Sequence, residues 1–320
     1  MALVAAGRAV SSSTGQTADR LFRGLTYAFA LLVLLLLAGI IVALFFGSLP
    51  VLRKEGLGFF VSTDWNPVTE RFGALPPIYG TLVTSIIALV LAVPVSFGIA
   101  LFLTELSPAW LRRPVGTAIE LLAAVPSIIY GMWGLFVFVP YFATYVQPWA
   151  QAALSPLPLI GVLFDGPPLG ISVASAGIIL AIMVVPFISS VMRDVFLTVP
   201  TVLKESAYGL GATTWEVVWR VVLPYTRASV LGGIMLGLGR ALGETMAVTF
   251  VIGNSHDISL SLFLPGATIS STVANEFTEA VGEIYSSALI ALGLTLFFIT
   301  FVVLALARLL LYRLQQKAGR

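Results

Sequence analysis

ESAYGLGATTWEVVWRVVLP, residues 205–224, is the stretch whose reading decides the fold. It opens polar, becomes rich in tryptophan and valine, and lies between two long apolar segments. Val202 to Leu210 reads as one short helix. Trp215, Val218, Trp219 and Val222 then fall at i, i+3, i+4 and i+7, a single stripe of a second helix. Glu216 and Arg220 form an i, i+4 pair on another face. Gly209 and Gly211 permit a sharp turn between the two, and Pro224 is expected to end the second helix before the next apolar segment. Two short helices joined at a glycine make a compact knob. Physics alone leaves two readings open: a knob on which something docks, or an amphipathic segment lying in lipid headgroups with its tryptophans at the interface.

Outward from this stretch the composition points to lipid as the surrounding solvent. The chain has 320 residues, 58% of them hydrophobic and 10% charged, where a soluble domain carries roughly 25% charged residues. There is no cysteine, which excludes disulfides, thiol nucleophiles, iron–sulfur clusters and cysteine-based zinc sites. Lysine occurs only at 54, 204 and 317, never after a glycine, so no phosphate-cradling P-loop is present. His256 is the only histidine, too few for a histidine metal site or a histidine-relayed nucleophile. Neither solubilised enzyme chemistry nor an intramembrane enzyme is expected, and any nucleotide that drives the protein is bound elsewhere.

A hydrocarbon core needs about 20 apolar helical residues per crossing. Six such spans are read at about 25–46, 79–103, 115–143, 171–198, 228–252 and 285–312. Lys and Arg in the loops set orientation. Arg8, Arg20 and Arg23, Arg112 and Arg113, Arg193, Lys204, Arg220 and Arg227, and Arg308, Arg313, Lys317 and Arg320 fall on one side, thirteen of the 17 cations. Arg53, Lys54 and Arg71 fall on the other. Both termini and the 2–3 and 4–5 loops are therefore expected in the cytoplasm. The organisation is a tail over 1–24, a first transmembrane helix over 25–46, an external loop over 47–78, a five-helix core over 79–312 and a tail over 313–320. The core includes a cytoplasmic loop at 199–227 and an external segment at 253–284. That last segment carries Asp257, Glu276, Glu279 and Glu283 and is too apolar at Leu260, Leu262, Phe263 and Leu264 for a linker; an ordered cap is expected. Asp64-Trp65-Asn66-Pro67 gives turn chemistry with an aromatic anchor, and residues 144–170 leave room for a short re-entrant or surface helix.

Charges inside spans call for explanation, because insertion of one at the bilayer centre costs at least ~2.5–3.5 kcal/mol. Arg240 and Glu244 lie one helical turn apart in the fifth span. An arginine fork suits an oxyanion, and a partial pairing with Glu244 would hold it without trapping the anion. A salt bridge that merely ties the bundle is the other reading. Gly232, Gly233, Gly237, Gly239 and Gly243 leave one face of this helix bare, for close small-xxx-small packing or for a path. Glu120 and Glu105 are expected to be solvated or paired with Arg112 or Arg113, and Asp194 to pair with Arg193. Pro94, Pro126 and Pro186 are expected to kink their helices and shape the bundle.

Glu205-Ser206-Ala207, three residues on to Gly211, and nine further to Val221-x-Leu223-Pro224 resemble the EAA loop of ABC-importer permeases, with Ser206 for the usual alanine and Val221 for the usual isoleucine. Further segments narrow the likeness. They are Gly73-Ala74-Leu75-Pro76 with Tyr79-Gly80-Thr81-Leu82, Glu120 through Gly131 (ELLAAVPSIIYG), Gly239 through Ala247 (GRALGETMA) and Ser261 through Thr268 (SLFLPGAT). These are similar to the permeases of phosphate-specific ABC importers of the PstC type, from about residue 25 to 315. The resemblance implies an all-α, type I importer bundle in the bacterial plasma (inner) membrane, carrying inorganic phosphate inward and catalysing nothing itself. It implies ATPase coupling through residues 203–224, with Glu205, Ser206, Ala207, Gly211, Trp215, Leu223 and Pro224 as contact or turn residues. It further implies a pathway lined by Arg240, Glu244 and Thr245. No cofactor is expected on this chain; ATP and Mg belong to the partner ATPase. The partners implied are a second permease of the PstA type, two ATPase copies, an external phosphate-binding protein and the bilayer, with no nucleic acid. A permease for another oxyanion or small solute, and a proton-coupled secondary transporter using Arg240 and Glu244, stay as alternatives. The latter would need no knob and usually an internal repeat, which is not found.

Overall fold

The computed structural model describes residues 13–158 and 160–318. Arg8 and Arg320, which enter the charge asymmetry, lie outside the described residues. Helix α1 (Ser13–Glu55) belongs to two compact units, residues 1–47 and residues 48–320. In the first unit it exposes apolar side chains on every face, Val33, Leu34 and Leu35 each more than 60%, as only a lipid-facing helix does.

In the second unit a short 3₁₀ turn (Gly56–Phe60) leads into an antiparallel pair, β1 (Trp65–Asn66) and β2 (Arg71–Phe72), with Trp65 opposite Phe72. This two-stranded turn and an isolated bridge between Gly253 and Gly266 are the extended pairings in an otherwise helical set of described residues. There follow α2 (Leu75–Leu101) with a π-turn (Phe102–Leu106), α3 (Ala109–Ala123) and α4 (Ser127–Leu154). Next come α5 (Val173–Leu197), α6 (Thr201–Gly209) and α7 (Thr214–Leu242). Helices α8 (Met246–Ile252), α9 (Ile269–Glu276) and α10 (Glu283–Ala318) complete the order. Among the described residues six helices are long and apolar enough to cross a membrane: α1, α2, α4, α5, α7 and α10.

The core forms around α5, the most enclosed span, with Ile179, Leu180, Val184, Ile188, Met192 and Phe196 fully buried. Against it lies α2, whose Gly80, Thr84, Ala88, Ala92, Ser96 and Ala100 recur every four residues and are all buried. Side chains this small let two backbones approach closely. A Cβ on Gly177 of α5 would sit 2.6 Å from Ile87, and Ser96 donates across the seam to the Val185 carbonyl at 3.1 Å.

Several span boundaries shift from those expected. The third span begins at Ser127, not near 115. Proline at 126 has no amide and forces its predecessor out of the helical region, so residues 109–123 fold as a separate helix against α5. Trp110 and Leu121 are exposed on this helix. The same span runs on to Leu154, absorbing what was read as a surface segment. The fifth span breaks at Gly243–Thr245 instead of continuing to 252, and the first and last helices outrun their expected ends.

Segment 253–268 packs on the start of α5 and on an aromatic ring of α4. The amides of Ser172, Val173 and Ala174, at the start of α5, donate to the carbonyls of Val251, Leu264 and Leu262. Phe263 is buried against the rings of Phe142 and Phe164.

Candidate functional site

The loop at 199–227 folds as α6, a turn, and roughly the first four turns of α7. At Gly211 the backbone is left-handed, φ +86°, a conformation glycine adopts without steric cost. Ala212 donates to the Ala207 carbonyl across the turn at 3.1 Å, and both alanines pack on the main core. Glu205 and Ser206 face outward. Thr213 starts α7 through a capping box: its hydroxyl accepts from the Glu216 amide while Glu216 accepts from the Thr213 amide at 3.0 Å. Glu216 therefore serves as a cap first, since its contact with Arg220 is long, at 3.8 Å and exposed. Thr213-x-x-Glu216 was a readable capping signal, which the i, i+4 reading missed.

The expected stripe divides in two. Val218 and Val222 are buried, with Val217 beside them. Trp215 and Trp219 point outward, 68% and 49% exposed, their rings edge to face at 5.2 Å. Pro224 does not end the helix. It sits in the first turn after a π-turn (Val218–Val222), and Leu223, the last residue with an amide before it, donates to the Val218 carbonyl. The knob is thus continuous with the fifth span, from Thr214 to Leu242.

At the far end of that span Arg240 lies between the packed and the open sides of α7. Seven residues back Gly233, and three back Gly237, press on α5: an added Cβ would sit 2.9 Å from Val191 and 2.6 Å from Ile188. Gly232 has nothing within 4 Å, and Gly239 only Leu304 at 3.8 Å. The bare face is therefore two faces. One is a tight seam with α5. The other opens on a groove of about 620 Å³ lined by Gly232, Leu236, Leu304 and Arg308. The Arg240 guanidinium lies over the Phe187 ring at 5.4 Å, a cation–π contact. Its Nε is buried and has no hydrogen-bond partner among the described residues.

The Arg240–Glu244 pairing is corrected. Helix α7 ends at Leu242, so Glu244 is not one helical turn above the arginine, and the two make no ion pair among the described residues. Instead Glu244 Oε1 accepts from the Ala247 amide at 3.2 Å, at the start of α8, where a carboxylate is favoured by the helix dipole. The Thr245 carbonyl accepts from both the amide and the hydroxyl of Thr249. The break sets Glu244 and Thr245 just beyond the helix end that carries Arg240.

Two acidic residues have partners that local reading could not find. Glu120 pairs with Arg193 at 2.6 Å, not with Arg112 or Arg113; Gly116 makes room for that arginine, because a Cβ there would lie 2.5 Å from Nη1. Arg193 also holds Asp194, as expected. Glu105 pairs with Lys204 at 2.5 Å, across 99 residues.

At the end of the bundle that holds the two-stranded turn, Glu276 gathers three donors: Trp65 Nε1 at 2.8 Å, Tyr285 at 2.7 Å and His256 Nε2 at 2.8 Å. Trp65 stacks on His256 at 4.9 Å, so it is a cap residue and not a membrane-interface anchor. Burial pushes the Glu276 carboxyl up; the hydrogen bonds from His256, Tyr285 and Trp65 outweigh burial and hold it below its usual value. An ionised carboxylate only accepts, so His256 carries its proton on Nε2.

Six apolar spans among the described residues, a knob continuous with the fifth span and a break beside Arg240 fit a membrane permease. The family model of the binding-protein-dependent transport system inner membrane component matches residues 95–316. The chain belongs to that family, and within it to the PstC type. It is 61% identical over 302 residues to the phosphate transport system permease protein PstC of Xylella fastidiosa, covering 94% of this chain and 93% of the relative. The protein of that name from Mesorhizobium japonicum is 60% identical, covering 94% and 92%. A probable one from Methanocaldococcus jannaschii is 38% identical, covering 88% and 90%. The solved bacterial alginate ABC transporter in complex with its alginate-bound periplasmic protein shares the fold at a TM-score of 0.59 and 19% identity, over 91% of this chain and 94% of that one.

Proposed function

We propose that the chain is the permease subunit of an ATP-driven importer of inorganic phosphate, forming half of the translocation path. The high identity to PstC permeases along 94% of the chain supports the substrate class. The observation that carries the path is Arg240: a charged fork near the end of the fifth span whose buried Nε has no acceptor among the described residues. A buried donor left unmade costs about 1–3 kcal/mol, and a passing phosphate oxygen relieves it. Glu244, committed to the start of α8, leaves the arginine free to take the anion and to release it. Thr245 offers a hydroxyl beside them.

In this reading Glu205, Ser206, Trp215 and Trp219 face an ATPase, of which two copies serve the importer, and ATP with Mg stays on those subunits. Gly211 sets the turn, and Leu223 with Pro224 joins the knob to the span. A second permease of the PstA type completes the path. An external phosphate-binding protein delivers the substrate to the side bearing the cap, and both termini lie in the cytoplasm of a bacterium. Arg240→Gln is expected to abolish phosphate uptake while the variant still assembles with its ATPase. Normal uptake by that variant would refute the role of Arg240.

A further inference from the structure

Lys204 and Glu105 form the most enclosed ion pair among the described residues. Nζ lies 2.5 Å from Oε1, and the side chains are only 16% and 6% exposed. Arg220 and Glu216, on the neighbouring helix, are 79% and 38% exposed at 3.8 Å. Glu105 sits in the π-turn that closes α2, among buried Leu103, Thr104 and Ser107. Lys204 lies on α6, whose next two residues, Glu205 and Ser206, face outward. The pair therefore runs from the inner side of the docking helix into the end of a membrane helix. Among the described residues it is the only side-chain hydrogen bond or ion pair from α6 to a membrane-spanning helix.

Little else fixes α6. It has nine residues, and it meets α5 through Thr198–Pro200 and α7 through the left-handed turn at Gly211. Val202, Leu203 and Tyr208 are all more than 40% exposed; the helix packs inward through Ala207 and against the first turns of α7. A short helix hinged at both ends slides unless one stiff contact ties it down. Two charges out of water are such a contact, because parting them leaves each unpaired in a poor dielectric. The helix they tie to, α2, lies along α5 for most of its length and also touches α7.

We infer that Lys204 and Glu105 form a strut that carries movement of α6 into α2, so that the loop drives two spans: α7 through its unbroken helix, and α2 through this pair. The inference rests on the coupling reading of residues 203–224. Lys204 is here a positioning residue and touches no substrate.

The test uses the full importer, reconstituted in vesicles with its ATPase, partner permease and binding protein, and reads phosphate moved per ATP hydrolysed. Lys204→Met and Glu105→Gln are each expected to lower that ratio by about tenfold or more, in complexes that still purify whole. Lys204→Arg and the charge exchange Lys204→Glu with Glu105→Lys are expected to restore most of it. A purely structural pair would lower the yield of complex and leave the ratio of the surviving complex at the native value. That outcome, or an exchange no better than either single variant, overturns the strut. Trp215→Ala separates the two levels. If it changes the ratio while Lys204→Met does not, the strut alone fails; if neither it nor Gly211→Trp changes the ratio, the coupling reading fails with it.

Discussion

Replacing Gly237 and Gly232 in turn with alanine tests which face of α7 is packed, and the structure gives the expected size of the effect. At Gly237 the new Cβ would stand 2.6 and 2.7 Å from Cδ1 and Cγ1 of Ile188, a side chain with no exposed surface. Ile188 has no empty space to move into, so the substitution overpacks the seam with α5 at a cost of about 1–3 kcal/mol. At Gly232 nothing lies within 4 Å, and the packing cost is nil. Both positions are helix interior, so each alanine gains the same propensity of about 0.8–1.0 kcal/mol. The propensity cancels in the difference. Gly237→Ala should therefore be less stable than Gly232→Ala by about 1–3 kcal/mol, whatever alanine is worth in a lipid-facing helix. Unfolding of the isolated chain in mixed micelles by a denaturing detergent measures that difference directly. Equal stabilities, or a Gly232 variant less stable than the Gly237 one, would refute the face assignment and with it the placing of Arg240 at the edge of the seam. A bulky Gly232→Leu should leave the isolated chain intact as well. If it then blocks assembly with the second permease, the open face is where that subunit lies.

Two further outcomes follow from the cap and the knob. Glu276 has its carboxyl held below the usual value, so its contribution to stability is present above the ordinary glutamate pKa of about 4.3 and lost as pH falls through the lowered folded value. Fluorescence of Trp65, followed from pH 7 down to 3, should report loosening of the cap only in that acid range, and Glu276→Gln should remove this step; a step unchanged in the variant would clear Glu276 of it. Trp215→Ala with Trp219→Ala removes an exposed aromatic pair, so thermal stability of the isolated chain should change by no more than about 0.5 kcal/mol while recovery of the ATPase with the chain falls steeply. Retained recovery would return the pair to the lipid surface.

What the sequence made legible was decided by period and by local chemistry. The spans were readable because about 20 apolar residues in a row have one use, and the turn at Gly211 because its neighbours on both sides keep helical spacing. The Arg240–Glu244 pairing was misread because i, i+4 spacing holds only while a helix continues, and nothing in Gly239 to Thr245 announces the stop at Leu242. Glycine at 243 was taken for packing; it is where the helix ends. The five glycines of this span look alike in sequence. Which of them meet α5 is fixed by rotation of the helix against its neighbour, which no residue of α7 alone determines. Lys204 with Glu105 and Glu120 with Arg193 join residues 99 and 73 apart, beyond any local pattern. Two legible signals went unread: the ladder from Gly80 to Ala100, a plain four-residue repeat of small side chains, and the Thr213-x-x-Glu216 cap.

The treatment of proline has the widest consequence. Pro108, Pro140, Pro148 and Pro224 each follow directly on a residue that closes a π-turn: Ser107, Val139, Gln147 and Leu223 donate to the carbonyls of Phe102, Gly134, Phe142 and Val218, five residues back. A proline clashes with the carbonyl four residues before it, and the wider turn carries that carbonyl aside. After Pro140, Pro148 and Pro224 the helix continues, as it does without a π-turn through Pro94 and Pro186; at Pro126 the chain breaks. In α7 the device decides how the molecule works under the proposed function. Had Pro224 ended the helix, the knob would be a hinged appendage and force on Trp215 would dissipate at residue 224. With the π-turn the rod is unbroken from Thr214 to Leu242, and 25 residues at 1.5 Å each put Arg240 roughly 38 Å along the rod from Trp215. A push on the tryptophans then arrives at the break beside the arginine, which is the first place along α7 where the helix can yield.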